Sequence, residues 1–237
     1  MERVFIIPYR DKKKDMDILL NYFDRLFKEK KWNSENTDII FSHQKDKRPF
    51  NRGATKNIGF LYVKNKYKNY KNIDIIFNDI DIFPKTIHLP YSTELGKVEH
   101  YYGYKQTLGG IFVIKGQDFE TIGGFPNFWY WGWEDNELYN RCIQHKIEID
   151  RNIFYPIFHK EFNMIRRIGY PHYSPTEFNL FLSKKSDTFH ELKKIKFIKK
   201  GNMLDITSFQ TKYPIPKWTK PYFMGIKKNN YRGWNLF

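Results

Sequence analysis

Three short apolar runs divide the N-terminal third of the chain: residues 4–7 (Val-Phe-Ile-Ile), 38–42 (Asp-Ile-Ile-Phe-Ser) and 74–77 (Asp-Ile-Ile-Phe). Runs this short and this apolar fit strands buried on both faces, as in a parallel sheet. Between the first two, Met16, Leu19, Leu20, Phe23, Leu26 and Phe27 recur at helical spacing. Between the second and third, residues 55–63 read as a helix with Ile58, Leu61 and Tyr62 on one side. Strand, helix, strand, helix, strand predicts an α/β fold, with a mostly parallel sheet flanked by helices. Further on, residues 109–114 give another strand and 117–122 a short helix. Residues 134–145 read as a helix with Leu138, Cys142 and Ile143 turned inward. From about residue 149 the chain is aromatic and contains prolines, with a lysine-rich stretch at 193–200 and no internal repeat. The expected division is one domain at 1–190 and an irregular C-terminal extension at 191–237, packed on that domain or trailing from it.

Ligands of open α/β sheets sit beyond the carboxyl ends of the strands. Pro8-Tyr9-Arg10 and Asp79-Ile80-Asp81 both fall at such ends. The charge balance, 41 Lys and Arg against 26 acids for a net +15, attracts polyanions such as nucleic acid, acidic membranes, acidic glycans or nucleotide diphosphates. The lysines are spread along the chain rather than gathered in one arm, which fits a generally lysine-rich composition. Aromatics at 19% supply flat faces for sugars or bases as well as core. The single cysteine, Cys142, excludes an internal disulfide and fits a reducing compartment. No apolar run approaches the ~20 residues that span a bilayer. The first eight residues are too short for a signal sequence and are halted by Pro8. A cytoplasmic or other reducing compartment is therefore expected.

Three motifs carry chemistry. In Asp79-Ile80-Asp81 a turn can steer two carboxylates onto one hard cation that also takes diphosphate oxygens, although such pairs also cap ordinary strand ends. In Phe128-Trp129-Tyr130-Trp131-Gly132-Trp133-Glu134-Asp135, aromatic faces suit sugar C–H surfaces and the carboxylates suit removal of a hydroxyl proton. The same acids also favour a helix start through the dipole, and the two readings are compatible. Phe50-Asn51-Arg52-Gly53-Ala54-Thr55-Lys56-Asn57 begins a helix, as an anion or nucleotide contact or simply as a capped surface helix.

Taken in order, these segments resemble the β-1,4-galactosyltransferase family over about residues 5–141. The resemblance rests on Ile6-Ile7-Pro8-Tyr9-Arg10, Phe50-Asn51-Arg52 with Asn57-Ile58-Gly59-Phe60, and Asp79-Ile80-Asp81. It continues through residues 104–110, Gly123-Gly124-Phe125-Pro126-Asn127, and Trp131-Gly132-Trp133-Glu134-Asp135 up to Asn140-Arg141. It implies a GT-A (Rossmann-like) catalytic domain that transfers galactose, or a related hexose or N-acetylhexosamine, from a UDP-sugar to a glycan or glycoconjugate hydroxyl, with inversion and with Mn²⁺. By position, Pro8, Arg10, Phe50, Arg52, Asp79, Ile80, Lys97 and Trp131 surround the donor, while Tyr104, Gly110 and Trp133 face the acceptor. Asp135 is the catalytic base, with Glu134 beside it. Asp81 is the direct metal ligand.

The chain departs from the family pattern at four points. Trp133 stands where the family usually has a second glycine, and Thr107 where the galactosyl enzymes carry a tyrosine, which opens the donor to UDP-GalNAc. The family's disulfides and membrane anchor are absent. Its Met-Ile-Arg-His metal string is here Met164-Ile165-Arg166-Arg167, so His159 is expected to supply the imidazole, with Met164 and His172 in reserve. The alternatives are a GT-A transferase using UDP-GalNAc or UDP-Glc in polysaccharide synthesis, and a non-catalytic basic module binding glycan or nucleic acid. On the leading reading no nucleic acid partner is expected.

Overall fold

Alternate residues of the first apolar run belong to two different cores. In the computed structural model, which describes residues 1–29, 33, 35–86, 88–164 and 171–221, this run is the middle of strand β1 (Arg3–Tyr9). Its Val4 and Ile6 join one cluster and its Phe5 and Ile7 the other, all fully buried. Strands β2 (Thr37–Gln44) and β3 (Asp74–Asn78) flank β1, both parallel to it. Helix α1 (Lys13–Lys28) lays Leu19, Tyr22, Phe23 and Leu26 on the Phe5 side, and α2 (Arg52–Lys66) lays Ala54, Ile58, Phe60 and Val63 on the Val4 side. Each buried Val, Leu, Ile or Phe among them stabilises the layers by about 1.5–3 kcal/mol. Gly59 lets α2 lie this close, since a Cβ there would stand 2.6 Å from Ile6 Cγ2.

The chain continues through β4 (Ile82–Pro84), β5 (Lys97–Gly103), β6 (Ile111–Lys115), α3 (Gly116–Thr121), α4 (Glu134–Gln144), β7 (Glu148–Asp150) and β8 (Tyr155–Pro156). It ends its described course with β9 (Phe162–Met164), β10 (His172–Tyr173), α5 (Pro175–Leu182), β11 (Lys193–Lys200), β12 (Met203–Gln210) and β13 (Lys220–Pro221). The main sheet runs β11-β12-β2-β1-β3-β6-β5-β7, with β8 beside β5. Its pairings are parallel except at β3–β6, β6–β5 and β11–β12. Two small antiparallel pairs, β4–β9 and β10–β13, lie outside it.

The lysine-rich stretch at 193–200 is not irregular chain but the outermost strand, a place where lysines discourage further pairing. Its partner β12 sends Leu204, Ile206 and Phe209 into the main core. One inward assignment in α4 is corrected: Leu138 and Cys142 are buried, but Ile143 is 55% exposed. The buried face of α4 follows the four-residue step from Leu138 to Cys142 and takes in Arg141, and Ile143, ~100° further round, has turned off it.

Candidate active site

Because β1 and β3 are parallel, their carboxyl ends open at the same edge of the sheet. A cavity of about 330 Å³ lies there, lined by Pro8, Arg10, Asp11, Lys12, Phe50, Arg52, Asp79 and Ile80. The turn that follows β3 is pinned from within: the Asn78 side-chain amide donates to the carbonyls of Asp79 (2.7 Å) and Ile82 (2.9 Å). The Asp79 N–H donates to the Gly110 carbonyl at 2.9 Å. Asp79 is thereby fixed at the lip of the cavity rather than on a loose loop, while Asp81, further along the same turn, is buried and does not line it. Arg10 turns its guanidinium to the carbonyls of Asp46 and Arg48, which ties the end of β1 to the loop leading into α2.

That loop ends at Asn51, a fully buried helix cap whose side-chain oxygen accepts from Ala54 N–H at 2.8 Å. Its amide donates to the Asn127 carbonyl, which binds the start of α2 to the segment that precedes α4. One turn apart on α2, Arg52 and Lys56 face the same way and meet the first turn of α4. Arg52 Nη2 donates to Asp79 Oδ1 at 2.6 Å, and its Nε stands 3.0 Å from Glu134 Oε1. The second approach is a charge contact without a hydrogen bond, since the Nε–H is not directed at that oxygen. Lys56 Nζ donates to Asp135 Oδ1 at 2.8 Å. Burial opposes the charge of Arg52, but the carboxylates of Asp79, Glu134 and Asp135 outweigh it and hold its pKa above the ordinary value. Burial, and then the charge of Asp135, push Glu134 upward against the pull of Arg52 and Lys56.

The position before α4 explains a family preference. Trp133 sits at φ 72°, ψ −16°, left-handed backbone that glycine adopts without cost and that a side chain adopts at a cost of ~1–2 kcal/mol. Here the indole stacks on Phe178 and Phe181 of α5, at centroid distances of 4.4 and 5.6 Å, so the ring assigned to the acceptor is packed on a helix. Phe128 and Trp129 of the same motif are buried, with Trp129 stacked on Phe209 of β12. Trp131 donates its N–H to the His172 carbonyl.

Over the acid pair lies the loop between β5 and β6. Leu108 N–H donates to the Asp135 carbonyl. Gly109 lies against the Asp135 carboxylate: a Cβ there would stand 2.5 Å from Asp135 Oδ2. Tyr104, 39% exposed, stands in the same loop. His100, buried in β5, has its Nε2 3.1 Å from the Gly109 carbonyl and takes a hydrogen bond from Arg151 Nε on Nδ1. Burial, then the charge of Arg151, lower the His100 pKa to about 4, so the ring is a neutral strut for the loop.

Other expected residues lie elsewhere. Lys97 opens β5 at the opposite end of the sheet from the cavity, ion-paired with Glu94 at 2.8 Å. His159 takes the Glu161 N–H on its Nδ1 and rests against Tyr155. His172, in β10, is exposed and bonded to Thr219. The β4–β9 register sets Met164 across from Ile82, the residue after Asp81. Ile165, Arg166 and Arg167 lie outside the described residues. Among the described residues no three of His, Cys, Asp and Glu form a metal-holding group. Asp79, engaged by Arg52, and Asp81 offer oxygen donors of the kind a hard cation takes, with phosphate oxygens needed to complete its shell.

A family model described as the N-terminal region of glycosyl transferase group 7 matches residues 1–94, and one described as the N-terminal domain of galactosyltransferase matches residues 89–167. The chain belongs to the β-1,4-galactosyltransferase family. It is 29% identical to β-1,4-galactosyltransferase 1 of Bos taurus over 156 residues, which is 62% of this chain and 37% of the bovine one. It is 30% identical to β-1,4-galactosyltransferase 7 of Homo sapiens over 145 residues, 57% of this chain and 42% of the human one. The chain thus spans well under two thirds of the curated relatives it matches. The catalytic domain of Drosophila β1,4-galactosyltransferase 7, solved with xylobiose, superposes with a TM-score of 0.63 at 18% identity, covering 87% of this chain and 93% of that one. A mutant of that Drosophila enzyme was solved with manganese, UDP-Gal and xylobiose and gives a TM-score of 0.62. The fold is therefore GT-A.

Membership in the β-1,4-galactosyltransferase family corrects one expectation. These enzymes are normally Golgi-lumenal, and the cytoplasmic assignment does not stand. It rested on the single cysteine and on the lack of a signal-like or membrane-spanning run, and Cys142 is simply a buried core thiol. Among the described residues no helix is long and apolar enough to cross a membrane.

Sequence reasoning assigned no role to Gly109 or His100. Lys56 stood in a quoted motif, but as an anion contact. Nothing in the spacing of residues 56, 109 and 135 signals that they touch.

Proposed function

We propose that this β-1,4-galactosyltransferase family member transfers galactose from UDP-Gal to a sugar hydroxyl with inversion at the anomeric carbon. One observation carries the reading: Arg52 bridges Asp79 at the mouth of the cavity and Glu134 beside Asp135. The group that faces the donor and the acid that faces the acceptor therefore belong to one ion network, within reach of a single sugar. The uridine diphosphate lies in the cavity among Pro8, Arg10, Phe50 and Arg52, where cationic side chains meet its charge. Asp81 would hold Mn²⁺, with Met164 set across from the neighbouring Ile82 by the strand register. When bound, the ion neutralises charge building on the departing diphosphate. Asp135 takes the proton of the acceptor hydroxyl as that oxygen attacks the anomeric carbon. The C–O bond to UDP breaks on the opposite face, and the electron pair leaves with the diphosphate.

The deciding experiment measures binding and turnover of UDP-Gal, UDP-GalNAc, UDP-Glc and UDP-GlcNAc, with Mn²⁺ and with chelator, using xylobiose among the trial acceptors. Metal-dependent turnover with a preference for UDP-Gal is expected. Asp135→Asn is expected to keep UDP binding and lose about 10²–10⁴-fold in turnover. No UDP-sugar binding in the presence of Mn²⁺ would overturn the proposal.

A further inference from the structure

Lys56 is an unexpected occupant of its position. It is 1% exposed, on the core side of α2, with its ammonium 4.3 Å from the centre of the Phe125 ring. An apolar side chain would fill such a place, and a buried ammonium is costly unless something compensates it. The compensation is Asp135 Oδ1, 2.8 Å away. The Asp135 carboxylate is itself 21% exposed, so it reaches the site surface while its counter-ion stays below. With Oδ1 taken by Lys56, Oδ2 lies over Gly109, where the absent side chain leaves it room. We infer that Lys56 is a positioning residue for the base: its ammonium holds one carboxylate oxygen of Asp135 and leaves the other to receive the acceptor's proton. This rests on the reading of Asp135 as the base.

The neighbouring charges make the assignment specific. From α2, Arg52 and Lys56 face the acid pair, and from α4 Glu134 stands next to Asp135. The β5–β6 loop contributes backbone only, at Leu108 and Gly109. Arg52 is engaged with Asp79 and Glu134, so the cation that hydrogen-bonds to Asp135 is Lys56. A charge-assisted bond of this length fixes direction as well as charge, and small errors in the aim of a base cost rate steeply.

The test compares the parent with K56M, K56R, D135N and the K56M/D135N double variant, using Mn²⁺-dependent hydrolysis of UDP-Gal as the probe reaction. K56M is expected to lower kcat about 10–100-fold with KM for UDP-Gal held within about twofold, because the loss falls on a step after binding. K56R restores most of the rate. In the D135N background, K56M makes no further difference, since a residue that acts through another has nothing left to act on. UDP affinity and thermal midpoint close to the parent's show that the fold is intact, and K56Q takes the place of K56M if that variant does not fold.

A K56M enzyme with the parent's kcat would overturn the inference. So would a loss of the same size with and without Asp135. A parent that neither binds nor hydrolyses UDP-Gal with Mn²⁺ removes the proposed function, and a fully active D135N removes the base; the inference falls with either. A silent K56M beside an active parent and an impaired D135N removes Lys56 alone.

Discussion

A methyl group at position 109 would lie 2.5 Å from Asp135 Oδ2, well inside contact distance, and the backbone there is not left-handed. Gly109→Ala therefore tests the aim of the base without straining the chain. We expect turnover to fall by about tenfold or more while UDP binding is kept, because a displaced base loses orientation rather than affinity. Equal losses in binding and turnover would mean that the loop itself had moved. Asp81→Ala makes the complementary case. It is expected to abolish the metal-dependent part of UDP affinity, read by titration with and without Mn²⁺, and an unchanged affinity would remove Asp81 from the metal assignment. At this scale the sequence was partly legible. Asp79, Asp81, Glu134 and Asp135 were marked by unusual local pattern. Gly109 and Lys56 were not, because what defines them is the atom opposite, which comes from a segment far along the chain.

Helix α5 is the element least expected from sequence and it backs the acceptor motif. Ser174 caps it and Pro175 occupies its first turn, while Phe178 and Phe181 support the Trp133 ring. Its Glu177 is 3% exposed, and its Oε2 has no hydrogen-bond partner among the described residues. Burial, opposed by a hydrogen bond from the Trp129 N–H and reinforced by the charges of Asp187 and Glu134, raises its pKa to about 9. The folded protein thus keeps this proton up to about pH 9, whereas the unfolded chain loses it near the ordinary glutamate value of 4.5. Between those values the unfolded state binds fewer protons, so this group's contribution to stability declines as pH rises, by up to ~1.4 kcal/mol per pH unit. Glu177→Gln removes the titration. The variant should gain on the parent progressively from pH 5 to pH 8 in urea melts, and a constant difference across that range would show that Glu177 does not carry the proton. Nothing in the local pattern hints at this, since a glutamate in a first helical turn ordinarily reads as a solvated dipole partner.

For the whole molecule the question is whether the last segment is separable. A boundary at residue 190 was expected, with the extension on or off the domain. Residues 193–210 form β11 and β12, and β12 is hydrogen-bonded in parallel to β2. Leu204, Ile206 and Phe209 lie in the main core, and Arg48 stacks on Trp129 and Phe209 together. Removal of residues 191–237 therefore exposes an edge of the sheet and empties one side of the core, where each lost large side chain costs about 2–5 kcal/mol against a total stability of about 5–15 kcal/mol. The truncated chain is expected to lose its cooperative thermal transition, followed by circular dichroism. A fragment 1–190 that melts like the parent would make the extension a separate unit.

The alternation of buried apolar runs with amphipathic segments determined the α/β class by itself, because a strand buried on both faces must be apolar at every position and a covering helix must be apolar on one face. The strand-end position of the Asp79 and Asp81 pair followed from the same pattern, since it needs only local order. The lysine-rich edge strand, the support of Trp133 by α5 and the aim of Asp135 were decided by tertiary structure. Each depends on residues scores of positions apart meeting at hydrogen-bond or van der Waals distance, and a local pattern carries no record of its distant partner. Lys56 and Asp135 are 79 residues apart in the chain and 2.8 Å apart in the fold.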